Sequence, residues 1–454
     1  MSDIRHYEYL FLGGGKGGKS LAMDMARAGK RVAVIERGMI GGSCINVACI
    51  PTKTLIQNAR NNHVRSLVDR RPSLTSDMAQ VSANVRSVVD GMVELNRHAF
   101  EASGLDLVIG MGRFVAPRKI LVRANDGSEQ VFEGENVYIN TGTVASIPDI
   151  PGLRELQPLT HVEALQLTEL PRHLVVLGGG YVGLEMAQAF RRLGSDVTLI
   201  HDGPRLAMRE DDDVSAEILR AFQDDGIEVK LNARPIEVQG RNGVKVSIRL
   251  KDESMVEGTH VLVATGRTPV TGTIGLDLAG VACDDYGFIK VDDRLATTAE
   301  RTWAIGEVAR TPMFTHASFD DYRILKAGIE GQQRSTKSRT IPYALFIDPE
   351  LGRIGLSEAE AREKNLSFRV ATLPMAAVPR ARTNGTTRGF MKALVDADSG
   401  RIIGFTMIGS GAGEVTTAVQ MAMLGELPYT AVRDAIIAHP LMSEGLNLLF
   451  AKLT

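Results

Sequence analysis

Cys44 and Cys49 lie in the run Gly41-Gly42-Ser43-Cys44-Ile45-Asn46-Val47-Ala48-Cys49-Ile50-Pro51-Thr52-Lys53, and they are two of only three cysteines in 454 residues. Two rare thiols in one short stretch mark it as the place for sulfur chemistry. The stretch reads as a helix opening after a glycine pair. The positive end of a helix favours thiolate over thiol, which lowers the pKa and makes a nucleophile. A disulfide can close between the two if the first turn is distorted, so they form a candidate redox couple. Two other readings stay open on these residues alone: buried structural cysteines, or half of a zinc site that lacks a second cysteine pair to complete it. Cys283, between Ala282 and the acidic Asp284-Asp285, reads as a half-buried bystander.

The elements that would position this pair are marked by glycines. The apolar run Tyr7-Glu8-Tyr9-Leu10-Phe11-Leu12 leads into Gly13-Gly14-Gly15-Lys16-Gly17-Gly18 and a helical pattern of Leu21, Met23 and Ala26. A second strand, Arg31-Val32-Ala33-Val34-Ile35, ends in Glu36. Strand, glycine turn, helix, strand and acid is the order of a dinucleotide fold: the pyrophosphate sits on the helix N-terminus and the carboxylate takes the ribose hydroxyls. Gly13 to Ser20 also matches the phosphate loop of nucleotide hydrolases, with Lys19 and Ser20 in its last places. Against that rival, Leu174-Val175-Val176-Leu177 runs into a second turn, Gly178-Gly179-Gly180-Tyr181-Val182-Gly183. It is followed by a helix and the strand Asp196-Val197-Thr198-Leu199-Ile200, with no Lys-Ser pair. One such turn is weak evidence; two in context predict two dinucleotide-binding units.

Between the units, residues 55–105 read as helical and 106–140 as short alternating strands, ending in Val137-Tyr138-Ile139-Asn140-Thr141-Gly142. Val261 to Arg267 closes the second unit, Trp303-Ala304-Ile305-Gly306-Glu307 returns to the first, and an α+β region starts near Pro342. The expected architecture is α/β: two Rossmann-like domains and an α+β C-terminal domain. The expected boundaries are 1–150 with 275–340, then 151–274, then 341–454. An apolar share of 44% can fill several cores at this length. A net charge of −2 with interleaved signs argues against a nucleic-acid groove or polybasic membrane patch. No apolar run approaches the ~20 residues of a spanning helix. The expected setting is cytoplasmic, where a disulfide is redox-active more often than structural, and the expected partners are small molecules.

On these separated motifs the chain resembles the pyridine nucleotide–disulfide oxidoreductases, the family of glutathione reductase, dihydrolipoamide dehydrogenase and mercuric reductase. The resemblance spans nearly the whole chain. It implies a homodimer with FAD in the first domain, a nicotinamide nucleotide in the second and the C-terminal domain at the interface. By that likeness Gly13, Gly15, Gly18, Glu36 and the adjoining Arg37 hold FAD, with Gly42, Ser43, Thr141, Gly142, Gly306 and Glu307 lining the same cofactor. Gly178, Gly180, Gly183 and Gly266 belong to the nicotinamide side. Cys44 becomes the thiol facing substrate and Cys49 the thiol against the flavin. Lys53 and Glu185 match an ion pair beside the flavin ring, and Tyr181 matches an aromatic gate over it. His439 and Glu444 match an acid–base dyad that reaches Cys44 of the partner subunit. A histidine oriented by a carboxylate can supply the proton a departing thiol or hydroxide needs near neutral pH. No metal site is expected.

Several residues depart from the family pattern. Glu307 stands where the family has Asp, Ser43 where it has Thr, Leu441 where a Thr follows the His-Pro pair, and Ile437 where dihydrolipoamide dehydrogenases carry a second His. No cysteine follows Cys283, so the C-terminal pair of mercuric reductases is missing. Phe314 to Arg323, Pro379-Arg380-Ala381-Arg382 and Met442 to Asn447 look like the mercuric-reductase-like group that includes hypothiocyanous acid reductases. The resemblance therefore implies reduction of a hypothiocyanous or hypohalous species, with soft metal ions and disulfides as alternatives. In the second dinucleotide unit His201 occupies the place of the acid, which removes repulsion against a 2′-phosphate that Arg205 could pair with. This favours NADPH over NADH, although Asp202 adjoins it.

Overall fold

The computed structural model describes residues 4–69 and 75–453. In chain order the first part of the fold runs β1 (Arg5–Leu12), α1 (Lys16–Arg27), β2 (Val32–Glu36), α2 (Ser43–Asn46), α3 (Cys49–Val68), α4 (Met78–Ser103), β3 (Asp106–Ile109), β4 (Met111–Ala116), β5 (Lys119–Arg123) and β6 (Glu129–Ile139). β2 is buried at every position, as an unbroken apolar run requires when both faces of a parallel sheet are covered. The sheet order is β3-β2-β1-β6-β5-β4; β1 pairs in parallel with β2 and β6, while β4 and β5 form an antiparallel extension. The strand Thr302–Ala304 joins β6 in parallel, so a distant segment completes this sheet. Phe11, Tyr138 and Trp303 stack across the three strands, with centroids 4.7 and 5.1 Å apart.

The second unit is a parallel sheet of Glu228–Lys230, Asp196–Ile200, His173–Leu177 and His260–Val263, backed by the helix Tyr181–Leu193 and an antiparallel three-stranded sheet. Its apolar core is continuous with that of α3: Leu55 and Ala59 share a buried cluster with Leu184 and Ala187. This packing brings the cysteine-bearing helix against the second glycine turn. Thr143–Ala145 and Arg267–Pro269 pair antiparallel where the chain crosses between units. The C-terminal part is a five-stranded antiparallel sheet with the helix Ala412–Leu424 on it. Among the described residues no helix is long and apolar enough to cross a membrane.

Two local readings change. The hydrolase-type phosphate loop needs its Lys at the helix start, but α1 begins at Lys16. Lys19 therefore lies one turn inside, buried, with its ammonium directed at Gly41 O and Asn96 Oδ1. The cysteine stretch is not one helix either. α2 stops at Asn46, Val47 and Ala48 both donate to Ser43 O at 2.9 Å, and α3 starts afresh at Cys49.

Candidate active site

That break sets the two thiols at the starts of separate helices, both half-buried and both free. The Cys44 thiol hydrogen-bonds the Cys49 sulfur, which keeps Cys44 protonated and, with burial, pushes its pKa up. The same bond, aided by Thr315 and the Lys53 charge, pulls Cys49 below the usual thiol range despite its burial. The pair thus shares one proton, with the anion on Cys49. Thr315, the first residue of the helix Thr315–Ile329, lies with its hydroxyl 3.2 Å from Cys49 Sγ. One turn along α3, Lys53 Nζ meets Glu185 Oε2 at 2.8 Å, and Glu185 Oε1 accepts from Phe346 N at 3.0 Å. This ion pair joins residues of the first and second units and is held by backbone of the C-terminal part.

The first glycine turn fits a bound dinucleotide. Gly15 caps α1 without a side-chain bond, so of the first-turn amides those of Lys16 and Gly17 remain available to an anion. Buried Glu36 accepts from Gly14 N at 2.8 Å and from Gly38 N and Met39 N at 3.0 Å, which places a carboxylate beside the turn. The loop before the cysteines presses directly onto it: a Cβ on Gly42 would stand 2.8 Å from Gly15 Cα, so any side chain there would fill the cradle. Asn140 locks the turn in place, its Oδ1 accepting from Gly18 N at 3.1 Å and its Nδ2 donating to Ile305 O at 2.7 Å. Arg37 is exposed beyond the strand end. Ser43 supplies the carbonyl that ends α2, and Thr141 Oγ1 donates to Val270 O at 2.9 Å next to Gly142.

Glu307, the residue that departs from the family's Asp, is tied to Thr143 Oγ1 and receives Arg267 Nε at 3.2 Å. Its loop is anchored by Gly306 N, which donates to the fully buried Asp321 at 2.8 Å; Arg339 Nη1 stands 2.5 Å from the same carboxylate. The longer carboxylate thus reaches sideways toward the crossing strands.

In the second unit the strand-end residue is His201, whose Nδ1 accepts from Gly179 N at 3.3 Å. Burial holds its pKa below the ordinary histidine value, so the ring is neutral. Arg205 is turned into its own loop, with Nη1 on Glu210 O at 2.9 Å and on Asp212, and Nη2 on Met208 O at 3.2 Å. It does not extend past the strand end as its sequence position suggests. Tyr181 opens the helix after Gly180, and its hydroxyl donates to Glu210 Oε1 at 2.5 Å. Tyr343 donates to the same oxygen at 2.7 Å, and burial pushes both phenols well above their usual pKa. Gly183 lets the helix close on the turn, and Gly266, with φ +149, leads into the crossing strand Arg267–Pro269.

His439 Nδ1 lies 3.0 Å from Glu444 Oε1, while the His side chain is 67% exposed. Among the described residues Glu444 is its only hydrogen-bond partner, so the dyad is formed and no hydrogen bond joins it to Cys44 of its own chain.

Two nucleotide-binding turns converging on a thiol pair define a flavoprotein disulfide reductase. The model of the family "Pyridine nucleotide-disulphide oxidoreductase" matches residues 7–321 and that of its dimerisation domain residues 341–449, and the chain belongs to this family. Its cofactors are FAD and NAD(P)H. It is 37% identical over 454 residues to a protein of Escherichia coli (strain K12) described as "Probable pyridine nucleotide-disulfide oxidoreductase RclA", covering 99% of both. It is 32% identical to a mercuric reductase of Streptomyces lividans over 97% of this chain and 95% of that one. The solved structure of the HOCl-induced flavoprotein disulfide reductase RclA of E. coli superposes with TM-score 0.90 at 36% identity, covering 99% of this chain and all of that one; its Cu(II) complex gives 0.92.

Several site residues escaped the sequence reading. Thr315, Asn140 and Glu210 act across long sequence separations, and nothing around them announces it. Thr315 lay within a stretch whose family likeness was legible, but its contact with Cys49 was not.

Proposed function

We propose that this enzyme uses NADPH in preference to NADH to reduce a small oxidant of the hypothiocyanous or hypohalous type through Cys44 and Cys49. The observation that carries this reading is the division of labour in the pair, with a thiolate on Cys49 beside Thr315 and Lys53 and a protonated Cys44 on the other side. Residues 1–150 and 275–340 hold FAD, 151–274 the nicotinamide nucleotide, and 341–454 the dimer contact. Bound FAD supplies the two-electron relay between nicotinamide and the thiol pair. Gly13, Gly15, Gly18, Glu36, Gly42, Ser43, Thr141, Gly142, Gly306 and Glu307 hold it in the first unit. The second turn and His201 hold the nucleotide, and Tyr181 covers the flavin face until it arrives.

The chain's own chemistry follows from the thiols. With hypothiocyanous acid, Cys44 passes its proton to the Cys49 sulfur it is hydrogen-bonded to and attacks the oxidant's sulfur; an S–S bond forms, the S–O bond breaks and hydroxide leaves, taking a proton to become water. Cys49 gives up that proton as it attacks Cys44, thiocyanate leaves, and the thiol pair has lost two electrons to the acceptor. His439, aligned by Glu444, delivers the proton from across a homodimer. Ile436 and Leu441, next to His439 in sequence, are exposed, as are Leu424 and Leu427 elsewhere in the C-terminal part, which suits a part covered by a second copy.

Cys44→Ser tests the dithiol step: turnover should fall by at least ~10³-fold, the scale of losing an essential nucleophile, while the protein stays flavin-loaded. Full activity in this variant would replace the mechanism with direct flavin-to-acceptor transfer. Anaerobically reduced enzyme offered hypothiocyanite, Hg(II), oxidised glutathione and lipoamide should reoxidise fastest with the first; rapid reoxidation by lipoamide alone would overturn the acceptor class.

A further inference from the structure

Glu210 takes no part in the steps above, yet its carboxylate holds Tyr181. It is 3% exposed and lies in the loop between the strand Asp196–Ile200 and the helix Asp212–Asp224. A buried carboxylate is tolerated when it is paired and hydrogen-bonded, and the two oxygens of Glu210 divide those tasks. Oε2 faces Arg353 of the strand Leu351–Gly355, with Nη1 at 3.4 Å. Oε1 accepts from both phenols, Tyr181 at 2.5 Å and Tyr343 at 2.7 Å, which burial keeps protonated and therefore donating. A counter-ion for Arg353 needs only the first oxygen. The loop that carries Glu210 is itself fixed: Ala207 N donates to Gly179 O of the second glycine turn at 2.9 Å, Glu210 N to Ala207 O at 2.8 Å, and Arg205 Nη1 to Glu210 O at 2.9 Å. Glu210 therefore stays in place if the Tyr181 ring moves. The rings extend the contact toward the thiols. Tyr181 and Tyr343 have centroids 5.7 Å apart, and Tyr343 stacks on Phe314 at 5.4 Å and 4°. Phe314 precedes Thr315, whose hydroxyl lies 3.2 Å from Cys49 Sγ.

We propose that Glu210 is the latch of the Tyr181 cover, a positioning residue whose Oε1 holds the phenol until an entering nicotinamide displaces the ring. Hydrogen bonds to an ionised acceptor are the strong ones, so the covered state is favoured in the absence of nucleotide. A nicotinamide that enters only the uncovered state binds with its intrinsic affinity reduced by the uncovered fraction. The adenine half of the nucleotide has no such toll, because the glycine turn it uses is open whichever way the ring lies. Tyr343, bonded to the same oxygen, keeps Oε1 aimed at Tyr181. Glu210 thus sets how often the flavin face is exposed without touching flavin, nucleotide or thiol. This rests on Tyr181 lying over the flavin, as proposed above.

The test uses oxidised holoenzyme and the quenching of flavin fluorescence by iodide, which reads exposure of the flavin without turnover, nucleotide or acceptor. Glu210→Gln weakens the acceptor, and Tyr181→Phe removes the donor while leaving Glu210 paired with Arg353. Each should raise the quenching constant severalfold with flavin content unchanged, and the double variant should add nothing to either, since both break one bond. An unaltered constant in Glu210→Gln overturns the latch, and so do additive effects, which would leave Glu210 as the counter-ion of Arg353 alone. Tyr181→Ala separates the other failure: if its quenching equals that of the parent enzyme, Tyr181 is not the cover and the reading beneath the proposal falls. Calorimetry gives a second measure. NADP+ should bind Glu210→Gln about tenfold tighter than the parent, the scale of one charged hydrogen bond no longer opposing entry. The probe 2′,5′-ADP, which has the adenine half without nicotinamide, should bind both alike; equal shifts for the two ligands would put Glu210 in the nucleotide seat and overturn the latch. Should Glu210→Gln fold poorly, Tyr181→Phe read by the same two measurements decides.

Discussion

The two glycine turns are built alike and backed by different residues. At Gly13 φ is +100 and at Gly178 it is +114, and a Cβ would meet a carbonyl oxygen at 2.4 Å in both, Asn140 O in one and Ala264 O in the other. Each turn is followed by a helix capped by a glycine whose missing side chain makes no bond. Behind the first turn stands a buried carboxylate, Glu36, gathering three backbone amides; behind the second stands neutral His201, accepting one amide at 3.3 Å. The backbone of the two turns is thus alike, and the strand-end residue is where they differ.

That contrast can be broken from either side, and the largest effect is expected at the first turn. Glu36→Ala leaves three amides without their acceptor, each worth roughly 1–3 kcal/mol when stranded. The purified variant should have lost most of its bound flavin, whereas His201→Ala should keep it; equal flavin content in the two would remove the distinction. The next effect concerns the nucleotide. His201→Glu puts a carboxylate where a 2′-phosphate would lie, and the ratio of kcat/KM for NADPH over NADH should fall by about tenfold or more, equivalent to ~1.4 kcal/mol. A ratio that does not move would mean that specificity resides elsewhere in the loop. The smallest effect is expected at the helix start, where the two turns differ as Lys16 and Tyr181. Tyr343→Phe removes one of two phenols bonded to Glu210 Oε1, a loss of about 1 kcal/mol. In stopped-flow mixing with NADPH, flavin reduction should change a few-fold with flavin content intact; no change would show that Tyr181 is not held through Glu210.

Much of the frame was legible because it is local. Gly13, Gly42 and Gly178 announce backbone that only glycine adopts easily, and unbroken runs such as Val32 to Ile35 announce buried parallel strands. The break between α2 and α3 was legible only in part: Pro51 cannot sit inside a helix running on from Ser43 and suits the first turn of a new one, whereas the interruption itself is set by Ser43 O receiving two amides while the loop presses on Gly15. Spacing puts Arg205 near the strand end, and only the structure shows that Asp212 and two carbonyls hold its guanidinium within its own loop.

The residues alone determined where thiols, glycines and the His439–Glu444 spacing fall, since these follow from covalent order and short-range sterics. Tertiary structure alone decided that Thr315 touches Cys49, that the anion rests on Cys49 and that Lys19 lies buried without a carboxylate partner among the described residues. A proton's position depends on burial and on charges brought from distant segments, and spacing along the chain does not encode those distances.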